Sequence, residues 1–383
     1  MTILRFDWHT TQGRSLLNSG FWRAAAIAVF GILAADRAAV SAESSSPGAT
    51  PKNSIRDFGA KCDGVTDDYA AITAALSRSA GAAGAVVFFP GSPKPCTISQ
   101  ALKVPANVTL QAQPGSVTIT SSAGSTSNPL LMSLSSGDAV SGLSFDGGGS
   151  ANSNDAAVIL GTQISGVVLD HISVRHSRGI GVMFSHGVTN TVVKNSSFSD
   201  LGNYWKVTHN VKDRIQGVVF CCGDGNSKNT ASNNDFTDIG LDALQFSEQK
   251  DTVIAGNHFR LENDERIGVP APDYPAALFL KHINGATIAD NQILGAQGNC
   301  IDAPAMINAV VTRNELQGCG AVGIGLFDGK GYGPGDRPPA NVQVYGNKIS
   351  NVGLWSKAGP ARSVPIFVDE HATGVTVHDN QIR

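Results

Sequence analysis

The sequence predicts an all-β solenoid, a single-chain parallel β-helix, and three observations lead there. An Asn-x-apolar triplet recurs at Asn234, Asn257, Asn291, Asn314, Asn347 and Asn380, at spacings of 23, 34, 23, 33 and 33 residues. Two spacings equal one bare unit, and the others carry an insertion. The stretch Ala276–Gly295 shows the whole unit. Ala277–His282 alternates in β fashion, Asn284–Gly285 is a turn dipeptide, Ala286–Ala289 is a second apolar run, and Asn291 closes the unit with Ile293 two residues on. Finally, 43 glycines and 7% aromatic residues suit many tight turns.

A fixed period of short strands marks stacked units, none of which buries its apolar face alone. The runs are short, rich in Val and Ile, and broken by Gly and Asn, which excludes helical repeats. An Asn at one place in each coil stacks amide on amide. Degenerate earlier copies are expected at Ser196–Ser197–Phe198 and Asp170–His171–Ile172.

At the N-terminus, Arg14 and Arg23 precede an apolar run, Ala24–Ala35. That run is too short to span a bilayer. With Val40–Ser41–Ala42 before Glu43, residues 1–42 read as a signal peptide, so a periplasmic or extracellular location is expected, without stable membrane insertion after cleavage. Residues 43–54 are a polar linker and 55–383 the β-helix domain. The net charge of −3 argues against a nucleic-acid partner. Closed solenoid ends suit a monomer, and an exposed side leaves a trimer open.

Export permits disulfides. Cys62–Cys96 and Cys300–Cys319 are the candidate pairs, with buried free thiols as the alternative. Adjacent Cys221 and Cys222 on a strand would face opposite ways, so they are not expected to serve together. No cysteine spacing matches a zinc site.

Within Ile55–Leu76 a short strand enters a Gly-rich turn, and a helix is predicted to start with Thr66 as N-cap. Ala70, Ala71, Ile72, Ala75 and Leu76 form its apolar face, which would cap the first coil's open edge. Asp63, Asp67 and Asp68 read as turn and cap chemistry rather than a metal site.

The run Asp57-Phe58-Gly59-Ala60-Lys61-x-Asp63-Gly64-x-Thr66-Asp67-Asp68-x-x-Ala71-Ile72, followed by Val86-Val87-Phe88-Phe89-Pro90-Gly91, resembles the N-terminal signature of the pectate-lyase-like superfamily. The resemblance implies a right-handed fold. It also implies an activity among polygalacturonases and related glycosidases, polysaccharide lyases, epimerases and phage tailspikes. Polygalacturonases carry Asn-Thr-Asp, Asp-Asp, Gly-His-Gly and Arg-Ile-Lys in order. This chain lacks that set, and Ser185-His186-Gly187 precedes the acids, so those catalytic residues are not carried over.

Counting back from each Asn stacks six first strands: Gly217–Gly223, Asp242–Glu248, Ala276–His282, Asn299–Ala305, Val322–Asp328 and Val364–Glu370. Leu278 and Leu280 take inward places, leaving Ala277, Phe279 and Lys281 outward. Gln245, Phe279 and Asp302 then form one outward row, with Lys281 one step on and Asp242, Glu248 and His282 at the strand ends. Four insertions, Asn203–Ile215, Glu262–Pro275, Gly329–Ala340 and Leu354–Ser363, flank this face, where binding is usually built.

Two chemistries fit the cluster. In a lyase, a basic group (Lys281, His282, or His209 on the first loop) removes the proton beside a uronate carboxylate, and a cation stabilises the enolate. Carboxylates could hold Ca²⁺ for that purpose, although no metal ligand is assigned. In a hydrolase, Asp242 and Asp302, about 9–10 Å apart across two coils, would act as acid and base. Tyr204, Trp205, Tyr274, Tyr332 and Trp355 could stack on sugar faces, and Arg214 and Arg337 could pair with uronate carboxylates. The leading expectation is a lyase acting on a uronate-containing polysaccharide. The alternatives are a glycoside hydrolase, a uronate C5-epimerase and a non-catalytic polysaccharide-binding or surface-assembly protein.

Overall fold

The computed structural model describes residues 53–82, 84–122, 130–149, 157–203, 214–261, 275–331, 336–354 and 363–383. The expected signal segment lies outside them. No helix of the described residues is long and apolar enough to cross a membrane.

Residues Thr50–Arg383 form one unit built from three parallel sheets of 12, 11 and 10 strands. The chain visits the sheets in rotation, so each strand pairs with its counterpart one coil later. This is a parallel β-helix. The third sheet carries the predicted first strands, centred on Val218–Cys221, Leu244–Ser247, Leu278–Lys281, Ile301–Pro304, Ile324–Phe327 and Ile366–Val368. Leu244 aligns with Leu278, then Ile301, Ile324 and Ile366, as the Asn count predicts.

In one strand the count slips. Val218, not Val219, aligns with Leu244. A single-residue shift exchanges the two faces, so Val218 and Phe220 point inward. Phe220 stacks between Phe184 and Phe246 at centroid distances of 4.9 and 4.4 Å. On the second sheet, Phe236 lies between Phe198 and Phe259 at 5.1 and 4.8 Å.

The asparagines stack as expected. Asn234, Asn257, Asn291, Asn314 and Asn347 each donate Nδ2–H to Oδ1 of the next Asn at 2.9–3.0 Å, ending at Asn380. Each also sends Nδ2–H to a main-chain carbonyl of the coil before. Ser196 extends the ladder, its N–H reaching Asn234 Oδ1. The copy before it begins at Ile172, two residues later than expected, because Val174 pairs with Phe198.

The helix spans Tyr69–Ser79 and so starts later than the Thr66 cap implied. The three acids are engaged in hydrogen bonds, two within their own turn and one across to the Ser99 segment. Asp63 accepts from Val65 N, Thr66 N and Thr66 Oγ1. Asp67 ties down Ser99, and Asp68 accepts from Lys61 N and Cys62 N. Ile72, Ala75 and Leu76 are buried.

Three disulfides form: Cys62–Cys96, Cys300–Cys319 and the adjacent pair Cys221–Cys222. The last overturns the strand-alternation expectation. The strand ends at Cys221, and Cys222 turns into the left-handed region at φ 66°, which brings the two sulfurs together.

Asp138 is fully buried, accepting from Val108 N at 3.2 Å and Ser135 N at 2.7 Å. Burial outweighs these bonds and pushes its carboxyl up to about 6. A folded value above the unfolded one means that this contribution to stability is complete below about pH 4 and is lost as pH rises through 6. Wild-type protein should therefore lose on the order of 2 kcal/mol between pH 4 and 7 relative to Asp138→Asn, read from denaturant melts of both. Parallel pH profiles for the two proteins would contradict this.

Candidate functional site

The predicted outward row exists. Gln245, Phe279 and Asp302 are aligned across three coils, and Ser247 aligns with Lys281. Leu278 and Leu280 are buried inside, and Lys281 points out. Outward, however, does not mean open. Gln245, Asp242 and Asp302 are only 8%, 8% and 5% exposed.

Their polar atoms are engaged within the wall. Gln245 Nε2–H donates to Ser247 Oγ at 2.9 Å, and Asn299 Nδ2–H donates to Asp302 Oδ2 at 2.6 Å. Asp242 Oδ1 accepts the Ala276 N–H at 2.8 Å, capping the next coil. Asn299 does the same two coils later, accepting from Val322 N at 3.0 Å. Asp242 also lies three residues out of register with Asp302. Adding that offset to two coil spacings puts their backbones about 14 Å apart, beyond the span of an acid–base pair. The expected Asp242–Asp302 pair is therefore not assembled, and Asp242 serves the corner of the coil.

The accessible chemistry sits at the C-terminal ends of the third-sheet strands. There Gln163, His186, Cys222, Glu248, His282 and Ala305 all adopt positive φ, between 53° and 66°. These conformations turn the chain out of the sheet and stack their residues in a column. Glu248 and His282 are neighbours in it. Lys281 Nζ lies 3.9 Å from Glu248 Oε1, with the two side chains 13% and 31% exposed. His282 Nε2 lies 3.2 Å from Asp336 Oδ1, with side chains 5% and 33% exposed. Glu248 Oε2 is held by the Gly223 N–H and Asp336 Oδ2 by the Gly331 N–H, both at 2.8 Å.

Burial lowers the His282 pKa, Lys281 lowers it further, and Asp336 and Glu248 oppose. The imidazole is therefore neutral at neutral pH. Its Nε2 carries the proton toward Asp336, while Nδ1 is buried and has no hydrogen-bond partner among the described residues. His282 thus orients Asp336 rather than meeting solvent itself.

Asp336 belongs to the Gly329–Ala340 insertion, which the sequence marks as a binding loop. Its carboxylate went unnoticed there because the contact joins residues 54 apart. Arg214 is not the expected solvent-facing cation. It is 3% exposed, and its Nη1–H donates to Gln297 Oε1 at 2.5 Å. Arg337 and Phe279 are half-buried. Tyr204, Trp205, His209, Tyr274, Tyr332 and Trp355 lie outside the described residues.

Among the described residues, Asp328, Asp369 and His371 bring potential ligand atoms within 4.8 Å of one another. Two carboxylates and an imidazole fit Ca²⁺ poorly, because it takes six to eight oxygens. His371 is already bound to Asp369 Oδ1 through both its N–H and Nδ1. At the Glu248 cluster the positive charge beside the carboxylate is the Lys281 ammonium. No step of the chemistry is assigned to calcium.

A family model described as "Rhamnogalacturonase A/epimerase, pectate lyase-like" matches residues 53–265, and one for the right-handed beta helix region matches 201–382. No curated protein matches the sequence. Among solved structures, the A-module of a mannuronan C-5 epimerase from Azotobacter vinelandii is 19% identical with a TM-score of 0.54, covering 86% of this chain and 97% of that one. The ORF18 protein of Geobacillus virus E2 is 14% identical at a TM-score of 0.59, covering 86% and 61%. The catalytic unit of an α-1,3-glucanase from Streptomyces thermodiastaticus is 15% identical at 0.50, covering 86% and 69%. At these identities the structures share the fold, a right-handed parallel β-helix.

Proposed function

We propose that this chain, which belongs to the rhamnogalacturonase A/epimerase, pectate lyase-like family, is a carbohydrate-active enzyme that cleaves a uronate-containing polysaccharide by β-elimination. The observation that carries the reading is an ammonium, Lys281, set beside Glu248 and next in sequence to the His282–Asp336 pair.

Elimination removes the proton on the carbon bearing the uronate carboxylate. The charge then spreads onto that carboxylate, the C–O bond one carbon further breaks, and its oxygen leaves with a proton taken from water. Lys281 supplies the positive charge that this enolate-like state needs. Asp336, aimed by neutral His282, is the proton acceptor, and carboxylates perform this task beside a carbonyl in other enzymes. Glu248 holds Lys281 in place. Three disulfides suit an exported protein, in keeping with the N-terminal segment.

Uronate C5-epimerisation is the second reading. It needs the same proton abstraction and returns a proton without breaking the chain, and the family description includes an epimerase. A panel of polyuronates tests the proposal. Ultraviolet absorbance of unsaturated ends, rising in step with new reducing ends, is the expected result. Reducing ends without absorbance would make the enzyme a hydrolase. Tight binding with neither would make it a binding protein.

Asp336→Asn should lower kcat by about two to three orders of magnitude with little change in KM, as loss of a general base does. A kcat within about threefold of wild type would remove Asp336 from the mechanism.

A further inference from the structure

We propose that the Cys221–Cys222 disulfide is the positioning element that holds Glu248 beside Lys281, so that opening it disables the site. The catalytic half of this inference rests on the reading above; the positioning half does not.

Cys222 occupies the coil immediately before Glu248 in the column of positive-φ residues. The adjacent disulfide closes a covalent ring across the Cys221–Cys222 peptide bond, which leaves that turn little freedom. Both cysteine carbonyls accept the His186 N–H, at 3.2 and 2.8 Å, which ties the turn to the coil behind. The next residue, Gly223, has φ 91°, and its carbonyl accepts from Asn226 Nδ2 at 2.8 Å. Its N–H is thereby aimed forward at Glu248 Oε2, at 2.8 Å. Glu248 Oε1 faces Lys281. One carboxylate oxygen is thus fixed by the locked turn and the other meets the ammonium. Without the ring, the Gly223 N–H has no covalent reason to stay aligned.

The other disulfides offer a built-in control. Cys62, Cys96, Cys300 and Cys319 are at most 2% exposed, whereas Cys222 is half-buried at the surface. A phosphine should therefore open Cys221–Cys222 first. The disulfide takes up two electrons and two protons to give two thiols, and the phosphine leaves as its oxide with an oxygen from water. Alkylation and peptide mass spectrometry then confirm modification at Cys221 and Cys222 alone.

Two readouts follow. Amide exchange of Gly223, read by NMR on intact protein, should speed up at least about tenfold on reduction, because its N–H is no longer aimed at Glu248 Oε2. On a polyuronate, kcat should fall about tenfold with KM nearly unchanged, and the same reduction should change nothing further in Glu248→Ala. The double variant Cys221→Ser/Cys222→Ser should reproduce both effects without reductant. Unchanged Gly223 exchange overturns the proposal, and so does a kcat that survives reduction. If wild type acts on no glycan, the β-elimination reading fails, and the exchange measurement still decides whether the disulfide positions Glu248.

Discussion

Replacing Lys281 by methionine is expected to lower kcat/KM on a polyuronate by about three orders of magnitude, with KM moving far less than kcat. The substitution keeps an unbranched side chain on the strand and removes only the charge. Loss of one preorganised charge-stabilising group costs about 3–4 kcal/mol in the transition state, which sets the size of the effect. The fold should not notice, because Leu278 and Leu280 carry the packing of this strand and Lys281 faces outward. Asp242→Asn is the contrasting variant. Its carboxylate caps the Ala276 N–H away from Lys281, so it should lose about 1 kcal/mol of stability and leave kcat within about threefold of wild type. Steady-state kinetics and denaturant melts on both variants check the pair. Equal activity losses would return the site to the centre of the sheet.

The second large effect concerns the ladder. Asn291→Ala should destabilise the protein by about 3–5 kcal/mol, near the upper end for a single substitution. Asn291 Oδ1 accepts from Asn257 N at 3.0 Å and Asn257 Nδ2 at 2.9 Å. Its Nδ2 serves Ile254 O and Asn314 Oδ1. Removing the amide strands two buried donors, Asn257 N–H and one Asn257 Nδ2–H, and takes a donor from Ile254 O, while Asn314 Oδ1 keeps the Asn291 N–H at 3.1 Å; each buried orphan costs about 1–3 kcal/mol before relaxation. Asn308 gives the control. It bonds Asn284 and Asn341 in a similar column, but at the surface. Asn308→Ala should cost about 1 kcal/mol, mostly from an alanine at φ 54°. Comparable losses at the two positions would mean that burial does not decide the ladder's worth.

The ladder and, outside the Val218 strand, the sheet register were legible because both are one-dimensional. A buried Asn at each turn and alternating Leu278 and Leu280 leave their period in the text, and counting recovers the coil. The proposed site was legible only in part. Glu248, Lys281 and His282 came out together because they lie on neighbouring coils. Asp242 was misassigned because the count measured distance across coils and ignored the offset along the strand. Asp302 faces outward as counted, but alternation does not reveal that the row is covered. The Cys221–Cys222 bond was missed because the alternation was carried one residue too far, past the point where Cys222 leaves the strand. Asp336 was beyond reach. An inserted loop has no period, and nothing in its sequence says which coil it touches.

The central claim is that the strand-end cluster, with Lys281 at its heart, takes the proton beside a uronate carboxylate. Proton NMR of a polyuronate incubated in D₂O tests it most directly. Wild type should remove the C5–H signal, leaving deuterium at C5 or unsaturated ends, while Lys281→Met and Asp336→Asn leave it intact over the same time. Chain cleavage with every C5–H retained, or a Lys281→Met protein that removes the signal at the wild-type rate, would contradict the account.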